Sequence, residues 1–189
     1  MLIDCSEKTD EELVALVIKN VDYYECLVSR YQEKLERYIQ RISNVTKEDR
    51  EDLLQDIFVK VYLKLNSFDG SLKFSSWIYR ITHNEVIDHF RRTKSAPKYV
   101  EIDAEDENFV DHLKADFNLV DEVHTKVMYE KVVKAFNKLE VKYKEVLVLK
   151  YIEDKDYSAI SDILRKPMGT VSTLLDRAKK QLKEHLNEK

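Results

Sequence analysis

FSSWIYRITHNEVIDHFRR, residues 74–92, is the stretch around which the rest of the chain is organised. It predicts one uninterrupted helix. Ser75 and Ser76 can cap its start, because a serine hydroxyl accepts from the free amides of a first turn, and the next proline is Pro97. Trp77, Arg80, Asn84 and Arg91 follow one another at spacings of three, four and seven, so they share a face. A broader stripe of Ile78, Ile81, Val86 and Phe90 suits a core. An indole, a guanidinium, an amide and an Arg-Arg end on one face fit unpaired bases and phosphate, since bases stack on rings and cations hold the backbone. A plainer account fits as well: Trp77 as a core residue and the arginines as solvated helix ends.

Working outward, the composition favours helices. The 189 residues contain only two glycines and two prolines, too few for the turns of a β-rich fold. Charged residues make up 36% and hydrophobic residues 43%, enough for a thin core under a heavily charged surface. The net charge of −4 is unevenly spread. Residues 1–100 carry 16 Lys/Arg and 17 Asp/Glu, residues 101–122 one lysine against nine carboxylates, and residues 123–189 15 basic against 10 acidic groups. A neutral front, an acidic middle and a basic end imply three segments with different partners. Cys5 and Cys26 form no CxxC and no His/Cys cluster, so reduced cytosolic thiols are expected and no metal site. No 18-residue apolar run and no signal peptide is evident, and a soluble, cytoplasmic protein without membrane insertion is expected.

The front segment reads as a series of helices. Thr9-Asp10-Glu11-Glu12 is a capping box, followed by a short helix through Leu13, Leu16, Val17 and Ile18. A second helix is predicted from about Asp22 to Ser43, with Leu27, Tyr31, Leu35, Tyr38 and Ile42 at helical spacing. Thr46 starts a third, whose apolar positions include Leu53, Leu54, Ile57, Phe58 and Val61. Its polar side begins acidic and ends basic, which suits the helix dipole and fits either a solvated face or a docking surface. In the loop before the opening stretch, Gly70 offers turn freedom, and Phe68 and Phe74 can pack inward or hold a base.

Beyond Pro97 the chain is acidic and weakly periodic to about Glu122, as expected of a tether. Helices then resume over 124–139 and 141–151. Asp156 can cap a helix built on Tyr157, Ile160, Ile163 and Leu164; Arg165-Lys166-Pro167 makes a turn; and Pro167 can begin a helix carrying Val171, Leu174, Leu175, Ala178 and Leu182. Two helices about a tight turn, the second longer and basic, predict a helix-turn-helix.

Four pieces in this order resemble the extracytoplasmic-function (ECF) sigma factors of bacterial RNA polymerase, in the sigma-70 superfamily. They are Asp49–Leu65, Ser67–Phe68, Phe74–Arg92 and Phe136–Leu182. The resemblance implies an all-α chain of two small helical domains joined by an acidic linker: residues 1–96 as sigma region 2, 97–122 as linker, and 123–189 as sigma region 4 with the helix-turn-helix. It implies a non-catalytic initiation factor without cofactors. The partners implied are core RNA polymerase and promoter DNA, with an anti-sigma factor as a further partner type of the family. Carried over by position, Asp52, Leu53, Gln55, Asp56, Phe58 and Val59 belong to the polymerase-binding helix. Lys73, Phe74, Trp77, Tyr79, Arg80, His83, Asn84, Arg91 and Arg92 belong near the melted minus-ten strand. Arg165, Lys166, Thr170, Ser172, Thr173, Arg177 and Lys180 belong near the minus-thirty-five duplex. Two departures stand out: Arg165 occupies a turn position where the family often has Gly, and Ser172 and Leu174 stand where it often has Lys and Arg.

Two other functions compete. A stand-alone helix-turn-helix regulator would explain the C-terminal third alone. An enzyme is disfavoured: His83 and His89 lie six residues apart, on different helix faces, Glu85 and His89 have the spacing of an ordinary surface contact, and no phosphate loop or nucleophile–base pair is evident.

Overall fold

The computed structural model describes residues 5–43, 45–93 and 126–187, with the side chains of 126–129 left aside. All regular structure among them is helical. The chain divides into two compact units, residues 1–97 and 98–189, with the three residues Asp162–Leu164 grouped with the first. The acidic linker expected over 97–122 lies outside the described residues.

In the first unit, α1 spans Asp10–Lys19 and is held by the predicted capping box. Glu12 N–H donates to Thr9 Oγ1 at 3.2 Å, and Thr9 N–H donates to Glu12 Oε2 at 2.8 Å. A 3₁₀ turn, Val21–Tyr23, leads into α2, Tyr24–Ile42. Thr46 caps α3, Lys47–Lys64, through the Asp49 amide, and a second 3₁₀ turn, Leu65–Ser67, ends it. The opening stretch forms α4, Phe74–Thr93. The core lies between these four helices. Leu27, Tyr31, Leu35, Tyr38 and Ile39 of α2 and Ile57 and Val61 of α3 are buried with Phe74, Ile78, Ile81, Val86 and Phe90 of α4. Fully burying side chains of this kind stabilises by roughly 1.5–3 kcal/mol each before chain entropy is set against it.

Three local features depart from expectation. Gly70 needs no left-handed backbone. Asp69 makes the turn, accepting from Ser71 N–H at 2.9 Å through Oδ1 and from Leu72 N–H at 3.0 Å through its carbonyl, and the first of these bonds lowers the Asp69 carboxyl below its ordinary value. The start of α4 is met from elsewhere in the chain, since Phe74 N–H donates to Glu11 Oε1 of α1 at 3.0 Å. Finally, Cys5 and Cys26 are joined in a disulfide with Cα atoms 6.1 Å apart. The expectation of free thiols is corrected: a separation of 21 residues carries no local signature, and folding of α1 onto α2 supplies the proximity.

In the second unit, α5 covers Lys126–Asn137 and α6 covers Val141–Leu147. The single helix expected over 141–151 instead widens into a π-helical turn at Val148–Ile152. Then come α7, Tyr157–Leu164, and α8, Met168–Asn187. Val171, Leu175, Ala178 and Leu182 of α8 are buried in this unit together with Phe136, Val146 and Leu147.

Candidate nucleic-acid interface

The solvent-facing side of α4 follows from its period. At about 3.6 residues per turn, Lys73, Arg80, Asn84, Ile87 and Arg91 fall within about a third of the circumference, and each is exposed or half-exposed. His83 borders this face, with Nδ1 3.5 Å from the Tyr38 hydroxyl. Arg91 reaches back to Asp88 one turn earlier, and Arg92 is exposed beside it. This surface offers cations, an amide and an imidazole, and the Asp88 carboxylate is its one acidic neighbour on the helix.

Three of the aromatic and apolar positions placed near the melted strand sit in the core. Phe74 is fully buried, Tyr79 nearly so, and Trp77 is 6% exposed. Trp77 lies at the edge of the arc that holds Arg80 and Asn84, and the rings of Phe68, from the preceding loop, and of Phe74, one turn earlier on α4, close over it. Its ring centroid is 5.4 Å from Phe68 and 5.6 Å from Phe74. Phe74 in turn packs 5.6 Å from Tyr31, and Tyr79 lies 5.0 Å from Tyr38. Edge and tilted arrangements of this kind add to the area buried. A stacking platform for bases needs a free ring face, which these rings spend on one another. Phe68, half-exposed, is the aromatic group at the rim.

On α3, Asp52, Gln55, Asp56 and Val59 are exposed along one face. Leu53 is buried and Phe58 half-buried, so Leu53 serves the core rather than this surface. The face continues one turn to Leu63, which is 72% exposed, beyond Val59 at 59%. Leu63 was detectable in the sequence as Val59 plus four, an apolar residue outside the buried stripe. Lys60 and Glu85 tie α3 to α4 by an ion pair.

From Asp156 to Asn187 the helix-turn-helix is present in detail. Asp156 Oδ1 accepts from Ala159 N–H at 2.7 Å and caps α7. Arg165 ends it in the left-handed region, at φ 52° and ψ 44°. That is the conformation for which glycine carries no steric penalty. Lys166 N–H donates to Ser161 O at 3.1 Å, and Ser161 Oγ donates to Lys166 O at 2.6 Å, locking the turn. Pro167 stands just before α8, where its carbonyl accepts from Thr170 and Val171. Thr170, Thr173, Arg177 and Lys180 recur at spacings of three and four and are all exposed. Arg165 is exposed too, while Lys166 and Ser172 are half-buried. Thr173 Oγ1 donates to Gly169 O at 2.8 Å, keeping its hydroxyl close to the helix. Asp176 is exposed between these groups and lowers the positive charge of the face. Short polar side chains near the start of a helix and cations further along are the elements of major-groove reading and phosphate contact.

Among the described residues, no three His, Cys, Asp or Glu side chains group as a metal site would require, and no helix is long and apolar enough to cross a membrane.

Comparison with known proteins agrees with this two-part arrangement. The family models for Sigma-70 region 2 and Sigma-70 region 4 match residues 27–96 and 129–182. The ECF RNA polymerase sigma factor SigW of Bacillus subtilis (strain 168) is 33% identical over 174 residues, covering 88% of this chain and 90% of that protein. The ECF RNA polymerase sigma-E factor of Haemophilus influenzae is 29% identical over 182 residues, covering 94% and 95%. Among solved structures, that of CnrH in complex with the cytosolic domain of CnrY shares the fold, with a TM-score of 0.65, 22% identity, and coverage of 95% of this chain and 98% of that one. With both sigma-70 regions matched in order and a relative one-third identical over nearly its whole length, the chain belongs to the ECF sigma factors of RNA polymerase, which direct promoter-specific transcription initiation.

Proposed function

We propose that this protein binds core RNA polymerase through the exposed face of α3, holds the melted minus-ten strand on α4, and reads the minus-thirty-five element with α8. Residues 1–96 act as region 2, 97–122 as the acidic linker and 123–189 as region 4. The observation that carries the reading is the exposed polar arc of α4, Lys73, Arg80, Asn84 and Arg91, with His83 at its border, on a rigid helix whose other side is core.

The physical division of labour follows. Asp52, Gln55 and Asp56 supply hydrogen bonds and charge to the polymerase, and Val59 and Leu63 supply apolar contact. On α4 the cations hold the displaced backbone, while Asn84 and His83 present donors and acceptors to base edges. Phe74, Trp77 and Tyr79 act from beneath by fixing the helix, and half-exposed Phe68, packed on Phe74 and Trp77, closes the rim. On α8, Thr170 and Thr173 face the groove with half-buried Ser172 at its flank, and Arg177, Lys180, Arg165 and Lys166 lie toward phosphates. The protein itself carries out no catalysis and works in the cytoplasm, where the polymerase is. An anti-sigma factor is a further partner, as one structural neighbour is the sigma factor RpoE in complex with the anti-sigma factor NepR of Bartonella quintana.

The test is transcription from a matched promoter with purified core polymerase. The expected result is a promoter-dependent transcript that requires this chain and is lost on combining Arg80→Ala, Asn84→Ala and Arg91→Ala. A duplex gel shift separates the second reading. A stand-alone regulator binds its site without polymerase, whereas this protein is expected to gain most of its affinity when polymerase is present.

A further inference from the structure

Three features of the Cys5–Cys26 disulfide bear on how α1 is held. It is placed where it ties the segment before α1 onto α2. It is reachable: a cleft of about 420 Å³ opens on both cysteines and is lined also by Ser6, Asp22, Glu25, Ser29 and Arg30. It is also connected. Arg30 donates to the Cys5 carbonyl at 2.8 Å and to Asp10 Oδ1 at 2.7 Å. Asp10 also accepts from the Tyr31 hydroxyl, and burial together with this carboxylate pushes the phenol well above its ordinary value. The next residue, Glu11, accepts from Phe74 N–H at the start of α4.

We infer that Cys5 and Cys26 form a thiol–disulfide exchange site for small thiols of the cysteine-peptide class, and that its state sets how firmly α1 holds the start of α4. The consequence for promoter opening rests on the sigma-factor reading above; the exchange itself does not. In a compartment whose thiol pool is reducing, a protein disulfide is transient and redox-sensing rather than structural. The cleft gives a small thiol access to both sulfurs.

The step balances as an ordinary exchange. A small thiolate attacks one sulfur of the pair, the Cys5–Cys26 bond breaks, and the other cysteine leaves as a thiolate and takes up a proton. A second small thiol then attacks the mixed disulfide, releasing the oxidised small-molecule disulfide and the second cysteine thiol. Two electrons pass from two small thiols to the protein pair. Oxidation is the reverse, with the small-molecule disulfide as oxidant.

The experiment uses the full chain in buffers of set ratios of reduced to oxidised glutathione, with alkylation and mass measurement to count free thiols. Amide hydrogen exchange at Phe74 is followed in each form and in Cys26→Ser. Dithiol and disulfide forms are expected to interconvert within the glutathione range. The Phe74 amide is expected to exchange at least about threefold faster in the dithiol form and in Cys26→Ser. A bond that stays closed in reduced glutathione, or never closes with oxidised glutathione, overturns the exchange site. Equal Phe74 exchange in all forms overturns the coupling. Promoter opening with core polymerase is run on both forms: absence of transcript from both contradicts the sigma-factor reading, while the thiol count still decides the exchange.

Discussion

Lys60 of α3 is paired with Glu85 of α4, and the pair is lopsided: the Glu85 side chain is 7% exposed and the Lys60 side chain 40%. The buried carboxylate depends on a lysine that is half in water. The ion pair joins the proposed polymerase-docking helix to the proposed strand-capture helix, so its loss affects their mutual setting as well as stability.

Lys60→Met leaves the Glu85 carboxylate buried without its cation. Removing one partner of a buried pair is costly while replacing both is nearly neutral. Allowing for the exposed lysine, the expected loss is about 2 kcal/mol in Lys60→Met, most of it recovered in Lys60→Met with Glu85→Leu. Urea unfolding of the single and double variants gives the coupling. Equal losses in single and double variants would show that the pair does not act as a unit.

Trp77 belongs to the core, so truncation acts on folding first. Trp77→Ala is expected to cost about 3–5 kcal/mol and to lower the melting temperature of the first unit by at least about 10 °C. Trp77→Phe is expected to retain most of the stability and promoter opening. A Trp77→Ala variant that melts normally, binds polymerase and fails to open a promoter would instead make the indole a base-stacking group.

Arg165 holds a left-handed backbone at φ 52°, which costs a non-glycine residue roughly 1 kcal/mol. Arg165→Gly is therefore expected to stabilise the second unit by about that amount. The same change removes a cation from the edge of the duplex-reading face, and polymerase-dependent upstream contact is expected to weaken by a few-fold and to become less salt-sensitive. Calorimetry and salt-dependent footprinting read the two effects separately. A variant that is destabilised would show that the arginine makes contacts worth more than its strain.

Glu145 is buried in α6, and burial pushes its carboxyl up to about 7 from the ordinary 4.5, with Lys166 pulling in the opposite direction. Between these values the folded unit holds a proton that the unfolded chain has released. The stability contributed by this group is thus complete below 4.5, falls as pH rises to about 7, and is flat above. Glu145→Gln is expected to flatten that slope and to raise stability at neutral and alkaline pH by roughly 1–3 kcal/mol. Melting temperatures across the pH range test it, and an unchanged slope would assign the dependence to another group.

What the sequence shows of this protein is what neighbouring residues decide. Thr9 with Glu12, Thr46 with Asp49, and Asp156 with Ala159 are caps within three residues of their partners, and each is legible from spacing. So is the helix-turn-helix, whereas the left-handed backbone at Arg165 is hinted at only by the resemblance, which often places Gly there. Trp77 was ambiguous because the period puts it beside Arg80 and Asn84, and only the rings of Phe68 and Phe74 place it inside. The Glu11 bond to Phe74 spans 63 residues and the disulfide 21; neither leaves a periodic trace. The widened turn at Val148–Ile152 has no glycine or proline to announce it. On the interface, the cations of α4 and α8 were legible by type and period, whereas separating exposed Val59 and Leu63 from buried Leu53 on α3 required the packing.

The central claim is that α4 presents a polar face to single-stranded promoter DNA once the protein is on polymerase. Its most direct test is permanganate footprinting of a matched promoter with core polymerase and this chain. The comparison is between the wild type and a variant combining Arg80→Ala, Asn84→Ala and Arg91→Ala, with core affinity measured in parallel. The account predicts reactive thymines at the minus-ten element with the wild type, and their loss in the variant at unchanged core affinity. A variant that opens the promoter as well as the wild type would contradict it.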